Sequence, residues 1–342
     1  MMRNHELDGL RGLACLIVVV GHAFGSSWAW MSWPGLMGGI PRIGVWLFFV
    51  LSAFLLTHRL LEENISLGTL VRYTIARLSR IVPPFIIAVG FYRLVDPNGF
   101  EPNCQILSVL MLQIPYKHLW TIPVELKFYL LLPFTVIALK QLTKAIGTHL
   151  TFLVLTASIV ATWYYEPAVT VANYLSVAPY LACFGAGVAA AWVTHFSSRQ
   201  HVVTGKICAF AATISIGTLV LLNKTGYFGD FKSELARHHT TFGALWAILI
   251  YGIYNGAGGW NRFFASFPLR KIGEISFSVY LFHWAFILWT KDWFFPIGLM
   301  SAVGFSLIVG FVSFHTLEKP LMEIRKQIYG LINLWTEPLP NK

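Results

Sequence analysis

Four groups of residues in this sequence have types and spacings suited to chemistry. The first is Arg11 and His22 in LDGLRGLACLIVVVGH, residues 7–22. Eleven helical residues turn through about 1100°, only ~20° past three full turns, so both side chains share one helix face, ~16 Å apart along the axis. A guanidinium joined by one face to a deep imidazole suits an anionic ligand that sends a thin arm into an apolar interior. Asp8 falls about 40° from that face and is placed to pair with Arg11. The competing structural roles are an Arg11 that reaches to lipid headgroups and a His22 that bonds a neighbouring helix.

The second group is Arg77 and Arg80 in ARLSRIVPP. Spaced by three, they face one side of a helix, and guanidinium forks match phosphate oxygens; ordinary basic loop charge is the alternative. The third is HLWTIPVELKFYLLLP, residues 118–133. Glu125 and Tyr129 share a face, with His118 and Trp120 just outside the helix and Pro123 in its first turn. Lys127 points nearly opposite to Glu125, so the carboxylate needs a partner elsewhere. The fourth is GEISFSVYLFHW, residues 273–284, where Ser276, Tyr280 and His283 form one polar stripe. Glu318 in HTLEKP is expected at the basic end of the last span, within reach of the arginines. No Gly-rich phosphate loop, HExxH or GxSxG occurs.

These groups need elements to position them. Of the 342 residues 56% are hydrophobic and 12% charged, and the mean hydropathy is +0.64. A soluble domain is about 25% charged, so an all-α polytopic membrane protein is expected, a single unit filling 1–342. Ten apolar segments approach the length that spans a bilayer: near 7–28, 40–60, 78–95, 121–140, 149–165, 173–194, 206–223, 240–256, 275–291 and 294–317. They leave no soluble domain of ordinary size. The first reads as an uncleaved span, since no small-x-small site follows it.

One set of loops, with Arg3, Arg59, Arg72, Arg77 and Arg80 among its members, is much richer in Lys and Arg than the other, which has Arg42, Arg93 and Lys117. The first set is therefore expected to be cytoplasmic, with both termini. Segment 61–80 reads as a long basic cytoplasmic loop leading into Pro83-Pro84 at a helix's first turn. Segment 96–120 reads as exterior, with QILSVLMLQI too short to span. WAWMSW, residues 28–33, reads as an outer aromatic belt. The net charge of +10 does not indicate nucleic acid, because the basic residues lie in short loops between apolar spans. Cys15, Cys104, Cys183 and Cys208 lack CxxC spacing; neither a disulfide nor a metal site is expected.

Taken in order, these fragments resemble the integral-membrane acyltransferase-3 family, over nearly the whole chain. LDGLRGLACLIVVVGH is similar to its opening Arg/His motif. GVWLFFVLSAFLLTHRL, residues 44–60, resembles its second helix, with Ser52-Ala53-Phe54 where SGF is usual. ARLSRIVPPF resembles its RxxR segment. HLWTIPVELKFYLLLPF resembles its W-[ST]-L-x-x-E-x-x-F-Y motif, with Ile122 in place of Leu. GEISFSVYLFHW and LEKP, residues 317–320, resemble its last two motifs.

The resemblance implies O-acylation of bacterial cell-surface or lipid-linked sugars at the inner membrane. It also implies acetyl-CoA as cytoplasmic donor and an essential His in the first span. Some relatives carry an extra extracytoplasmic esterase-like domain; without one, this chain is expected to transfer directly to its acceptor. Arg11, Arg77 and Arg80 would hold the donor phosphates, and His22 would act as general base or acyl-carrying nucleophile. Glu125, or else Asp8, would orient the His22 ring. Trp120, with His118, Tyr129, Tyr280 and His283, would contact the saccharide. A transporter or flippase would also explain a polar interior with a basic mouth, but not Arg11 and His22 in helical register.

Overall fold

The computed structural model describes residues 4–27, 39–100, 106–114, 116–165, 169–170, 173–197, 202–225, 238–294 and 296–336, and among these every regular element is helical. In chain order they are α1 (His5–Ser27), α2 (Ile40–Glu62), α3 (Leu67–Val95), the short α4 (Ile106–Leu110), α5 (Thr121–Tyr165), α6 (Leu181–Phe196), α7 (Val202–Lys224), α8 (His239–Asn255), α9 (Gly259–Phe264), α10 (Phe267–Thr290), α11 (Ile297–Ser313) and α12 (Lys319–Thr336). Among the described residues, seven helical stretches are long and apolar enough to cross a membrane. Helices lie within each of the ten expected segments, but residues 173–177 are turns before α6 begins at Leu181, and α6 and α8 have only 16 and 17 residues. Two expected spans fuse in α5, which breaks at Gly147, where φ of 79° is a left-handed conformation that glycine adopts without a Cβ clash.

The segment 61–80 is not a loop. Ser66 caps a helix by accepting from the Thr69 amide at 3.2 Å, and α3 runs from there for 29 residues. Arg72, Arg77 and Arg80 therefore ride on a helix. Pro83 and Pro84 lie deep inside it rather than in its first turn, and their missing N–H groups leave the Ser79 and Arg80 carbonyls without helical donors. The sequence after the last span is also helical. A π-turn at Phe314–Glu318 joins α11 to α12, and the Tyr329 hydroxyl and Arg325 guanidinium bond the Arg72 and Ala76 carbonyls of α3 at 2.8 and 3.4 Å. Of the 96–120 segment, α4 is five residues long and cannot span. WAWMSW and Cys104 lie outside the described residues; Cys15, Cys183 and Cys208 are free thiols.

At the centre, α1 packs most extensively against α10 and α2. The contact with α10 is made backbone to backbone. A Cβ on Gly12 would stand 2.1 Å from the Leu269 carbonyl oxygen, and one on Gly273 would stand 1.8 Å from that of Asp8. Any side chain at either glycine would push the two helices apart. This close crossing brings the Arg11–His22 face of α1 against the Ser276–His283 stripe of α10. Outside, Leu130, Phe134, Leu153, Phe210, Met300 and Phe311 are exposed, an apolar perimeter suited to lipid.

Candidate active site

The polar interior falls into two regions. One lies where the second half of α1 meets α10 and the turn before α5. His22 Nδ1 is 3.0 Å from His283 Nε2, with the rings stacked at 5.2 Å. His283 Nδ1 is 2.7 Å from the Tyr280 carbonyl oxygen. A carbonyl only accepts, so this Nδ1 carries the proton. With both rings neutral, His283 Nε2 is bare and accepts from His22 Nδ1–H. The bare nitrogen of His22 is then Nε2, whose lone pair can take a proton or attack a carbonyl carbon.

Two more rings complete the group. His118 Nε2 donates to the Leu281 carbonyl at 3.1 Å, and its ring centroid is 4.7 Å from that of His283. Trp284 stands edge-on to His22 at 5.1 Å and near-parallel to His118 at 6.0 Å. His118 and His283 are buried, whereas His22 and Trp284 keep some accessible surface. The turn carrying His118 is fastened to the end of α3. Asp96 accepts from Lys117 at 2.7 Å and from the Tyr116 hydroxyl at 2.6 Å. Burial acts to raise the Asp96 pKa, but these two hydrogen bonds and the Lys117 charge outweigh it and hold the carboxyl below its ordinary value.

The second region is basic and open. A cavity of about 270 Å³ is lined by Arg11, Arg77, Arg80, Glu125, Tyr129 and Tyr280, among others. A second, of about 310 Å³, shares the same three arginines and adds Asp8, Glu318 and Arg325. Arg11 pairs with Asp8 at 3.3 Å. Arg77 lies 5.9 Å over the Tyr129 ring, and its Nε is buried with no hydrogen-bond partner. Such a set of guanidinium groups around empty space suits phosphate oxygens. The first cavity ends at Tyr280, whose hydroxyl accepts from Thr121 at 2.9 Å and donates to the His118 carbonyl. Tyr280 thus stands between the arginine cavity and the histidines.

The expected residues separate as follows. Arg11, Arg77, Arg80, Glu125 and Tyr129 come together, as do His22, His118, His283 and Tyr280. Glu125 does not orient His22: it accepts from the Tyr129 hydroxyl at 3.0 Å and lies within electrostatic reach of Arg80, Arg77 and Arg11. Asp8 lies with Arg11 at the opposite end of α1 from His22. Depth counted from a span boundary misplaced Glu125, because the glycine crossing puts His283 against His22 first. Trp120 is in neither group; it stacks on Tyr180 at 5.4 Å and lines a separate cavity with Arg42, Trp46 and Tyr174. Glu318 accepts from Ser278, and among the described residues no ion pair joins it to an arginine. Trp284 escaped the sequence reading, although it ends the fourth motif, because an indole in mid-span reads as an apolar core side chain. Ser52, whose hydroxyl lies 3.2 Å from the Tyr129 hydroxyl and donates to it, was likewise visible only as part of a motif.

A family profile described as an acyltransferase domain matches residues 4–316. The chain is 28% identical to the peptidoglycan O-acetyltransferase OatA of Listeria monocytogenes, over 96% of this chain and 56% of that protein. It is 24% identical to the putative membrane-bound transacylase BcsY of Komagataeibacter xylinus, over 82% of this chain and 72% of that one. A putative O-acetyltransferase of Staphylococcus aureus strain COL is 29% identical over 40% of this chain and 25% of its own. The chain thus spans little more than half of the Listeria protein and a quarter of the Staphylococcus one. No solved structure matches.

Proposed function

The chain belongs to the acyltransferase-domain family and is a multi-pass membrane protein, and from that premise we propose that it is an O-acyltransferase. It would move an acyl group, acetyl by preference, from acyl-CoA to a hydroxyl of a cell-surface or lipid-linked saccharide. The observation that carries the reading is the division of one helix face: Arg11 lines the arginine cavity, and His22, on the same face, joins the ring cluster with Nε2 bare. Arg11, Arg77 and Arg80 hold the donor phosphates. The pantetheine arm follows α1 for the ~16 Å to His22, past Tyr280. His22 Nε2 removes the acceptor proton as general base or accepts the acyl group as nucleophile. His283 is the positioning residue, fixing the His22 tautomer through its own bond to Tyr280. The OatA name agrees with O-acetyl transfer to a peptidoglycan acceptor, and the BcsY name with acyl transfer in a membrane.

The arginine end of the bundle is assigned to the cytoplasm of a bacterial inner membrane, with both termini, from the Lys/Arg asymmetry. A cysteine placed at position 65 in a Cys-free background then stays unlabelled by an impermeant reagent outside intact cells; labelling there contradicts this orientation. The function is tested by mixing purified full-length protein with acetyl-CoA and candidate saccharides. Acceptor-dependent release of free thiol, with acetyl on the sugar, is expected. Movement of saccharide across vesicles with no thioester loss would overturn the reading in favour of a transporter.

A further inference from the structure

Two buried polar atoms in the ring cluster have no hydrogen-bond partner: Nδ1 of His118 and Nε1 of Trp284. Orphaned buried groups of this kind are uncommon and costly, so each calls for a reason. Their chemistry is complementary. His118 Nε2 faces the Leu281 carbonyl and therefore carries the ring proton, which leaves Nδ1 of the neutral ring as a bare acceptor. Trp284 Nε1–H can only donate. The two rings are not scattered through the interior. His22, His283, His118 and Trp284 form a closed circuit with successive centroid separations of 5.2, 4.7, 6.0 and 5.1 Å. An unused donor and an unused acceptor thus sit in the same ring of side chains as the bare His22 nitrogen.

Acyl transfer needs both. As a saccharide oxygen attacks a thioester, negative charge develops on the carbonyl oxygen, and a preorganised N–H stabilises it there. The attacking sugar also has to be held in one orientation, and a neighbouring hydroxyl is its natural handle. We propose that Trp284 Nε1–H is the oxyanion donor and that His118 Nδ1 accepts a hydrogen bond from a hydroxyl adjacent to the one being acylated. The inference rests on the acyl-CoA reading above and extends it to the acceptor: a sugar presenting two neighbouring hydroxyls. In the transfer, His22 Nε2 takes the proton of the attacking hydroxyl, and the sugar oxygen bonds the carbonyl carbon. The carbonyl π pair moves onto its oxygen, against Trp284. That pair then re-forms the C=O bond, the C–S bond breaks, and the CoA thiolate takes the proton back from His22. Trp284 and His22 keep some accessible surface while His118 is buried, so the acceptor would reach the cluster from the side of the first two rings, with His118 behind them.

The test uses purified full-length protein with acetyl-CoA and saccharides that have, or lack, a hydroxyl beside the acylated one. Trp284→Phe keeps an aromatic ring but removes the N–H along with part of the indole, so Trp284→His is the control for the donor. The kcat of Trp284→Phe should fall about 10²–10³-fold, the usual loss for one oxyanion donor, with donor KM and the pH profile unchanged. Trp284→His restores an N–H and should recover at least about tenfold of that loss, which a purely structural tryptophan would not allow. His118→Gln keeps an amide N–H for the Leu281 carbonyl but moves its acceptor oxygen away from the Nδ1 position. Its acceptor KM should rise about tenfold for the two-hydroxyl sugar and not at all for the sugar lacking the second hydroxyl. Wild-type kcat in Trp284→Phe, or no recovery in Trp284→His, overturns the oxyanion role; equal KM changes for both sugars overturn the His118 role. An active wild type in these outcomes leaves the acyltransferase reading standing, whereas a wild type that consumes no thioester overturns that reading and this inference with it.

Discussion

The histidine cluster and the arginine cavities lie on the same helix face yet are built in opposite ways. In the cluster, every histidine is held by at least one bond, His22 to His283, His283 to a carbonyl and His118 to another, so the nitrogens left unused are fixed in place. Space is filled by rings at van der Waals separation, and protonation is dictated by which partner can only accept. Around the arginines, cavities of about 270 and 310 Å³ stay open, and Arg77 keeps an unpartnered Nε. The difference matches two tasks. A group that must present one lone pair in one direction gains from preorganisation. A group that must grip a charged ligand keeps its donors unspent until that ligand arrives. The fold therefore separates chemistry from donor binding, and substitutions in the two regions should change different kinetic constants.

The largest effect is expected at His22. His22→Ala should lower kcat by about 10²–10⁴-fold or more while the protein still inserts; the measurement is acceptor-dependent thiol release. In the nucleophile version, wild type given labelled acetyl-CoA and no acceptor also carries label on His22. Next comes His283→Ala, which frees the His22 tautomer. A kcat loss of roughly 10–10²-fold with unchanged donor KM is expected, by analogy with other residues that orient an imidazole; a change in donor KM alone would erase the distinction between the regions.

In the arginine cavity, Arg77→Ala and Arg80→Ala each remove a charge-assisted contact of about 1.5–3 kcal/mol. Donor KM should rise tenfold to a hundredfold with kcat little changed, and a normal donor KM in both would return these arginines to ordinary basic-end charge. The smallest effect concerns Asp96, which fastens the His118 turn. Its pKa is lowered from 3.8, so its contribution is complete above the ordinary carboxylate range and is lost only as pH falls through the lower folded value. Asp96→Asn should cost about 1 kcal/mol, equally at pH 6 and pH 7 in thermal unfolding, with the gap to wild type closing only in acid below that range.

Much of this arrangement was readable before any coordinates. Helical arithmetic put Arg11 and His22 on one face, Arg77 and Arg80 together, and Tyr280 with His283, because those relations are local to one helix. Relations between helices were less accessible. Nothing in the spacing of LDGLRG states that Gly12 abuts the Leu269 backbone, yet that approach decides that His283, not Glu125, meets His22. The helical start at Leu67 was hidden by basic residues that resemble a loop, although the Ser66 cap was present in the sequence. Trp284 shows the reverse case: the residue was inside a recognised motif, but its unpartnered N–H is a property of packing alone.

The central claim is that donor binding and acyl transfer are carried by separate regions of one face, and His22→Gln tests it most directly. Glutamine can keep a bond to His283 but cannot accept a proton at neutral pH. The measurement is CoA binding by titration calorimetry alongside acceptor-dependent acetyl transfer, on the same reconstituted preparation. Wild-type CoA affinity is expected, with transfer reduced by at least about 10²-fold. A His22→Gln protein that still acetylates its acceptor at the wild-type rate would contradict this and leave His22 as a packing residue.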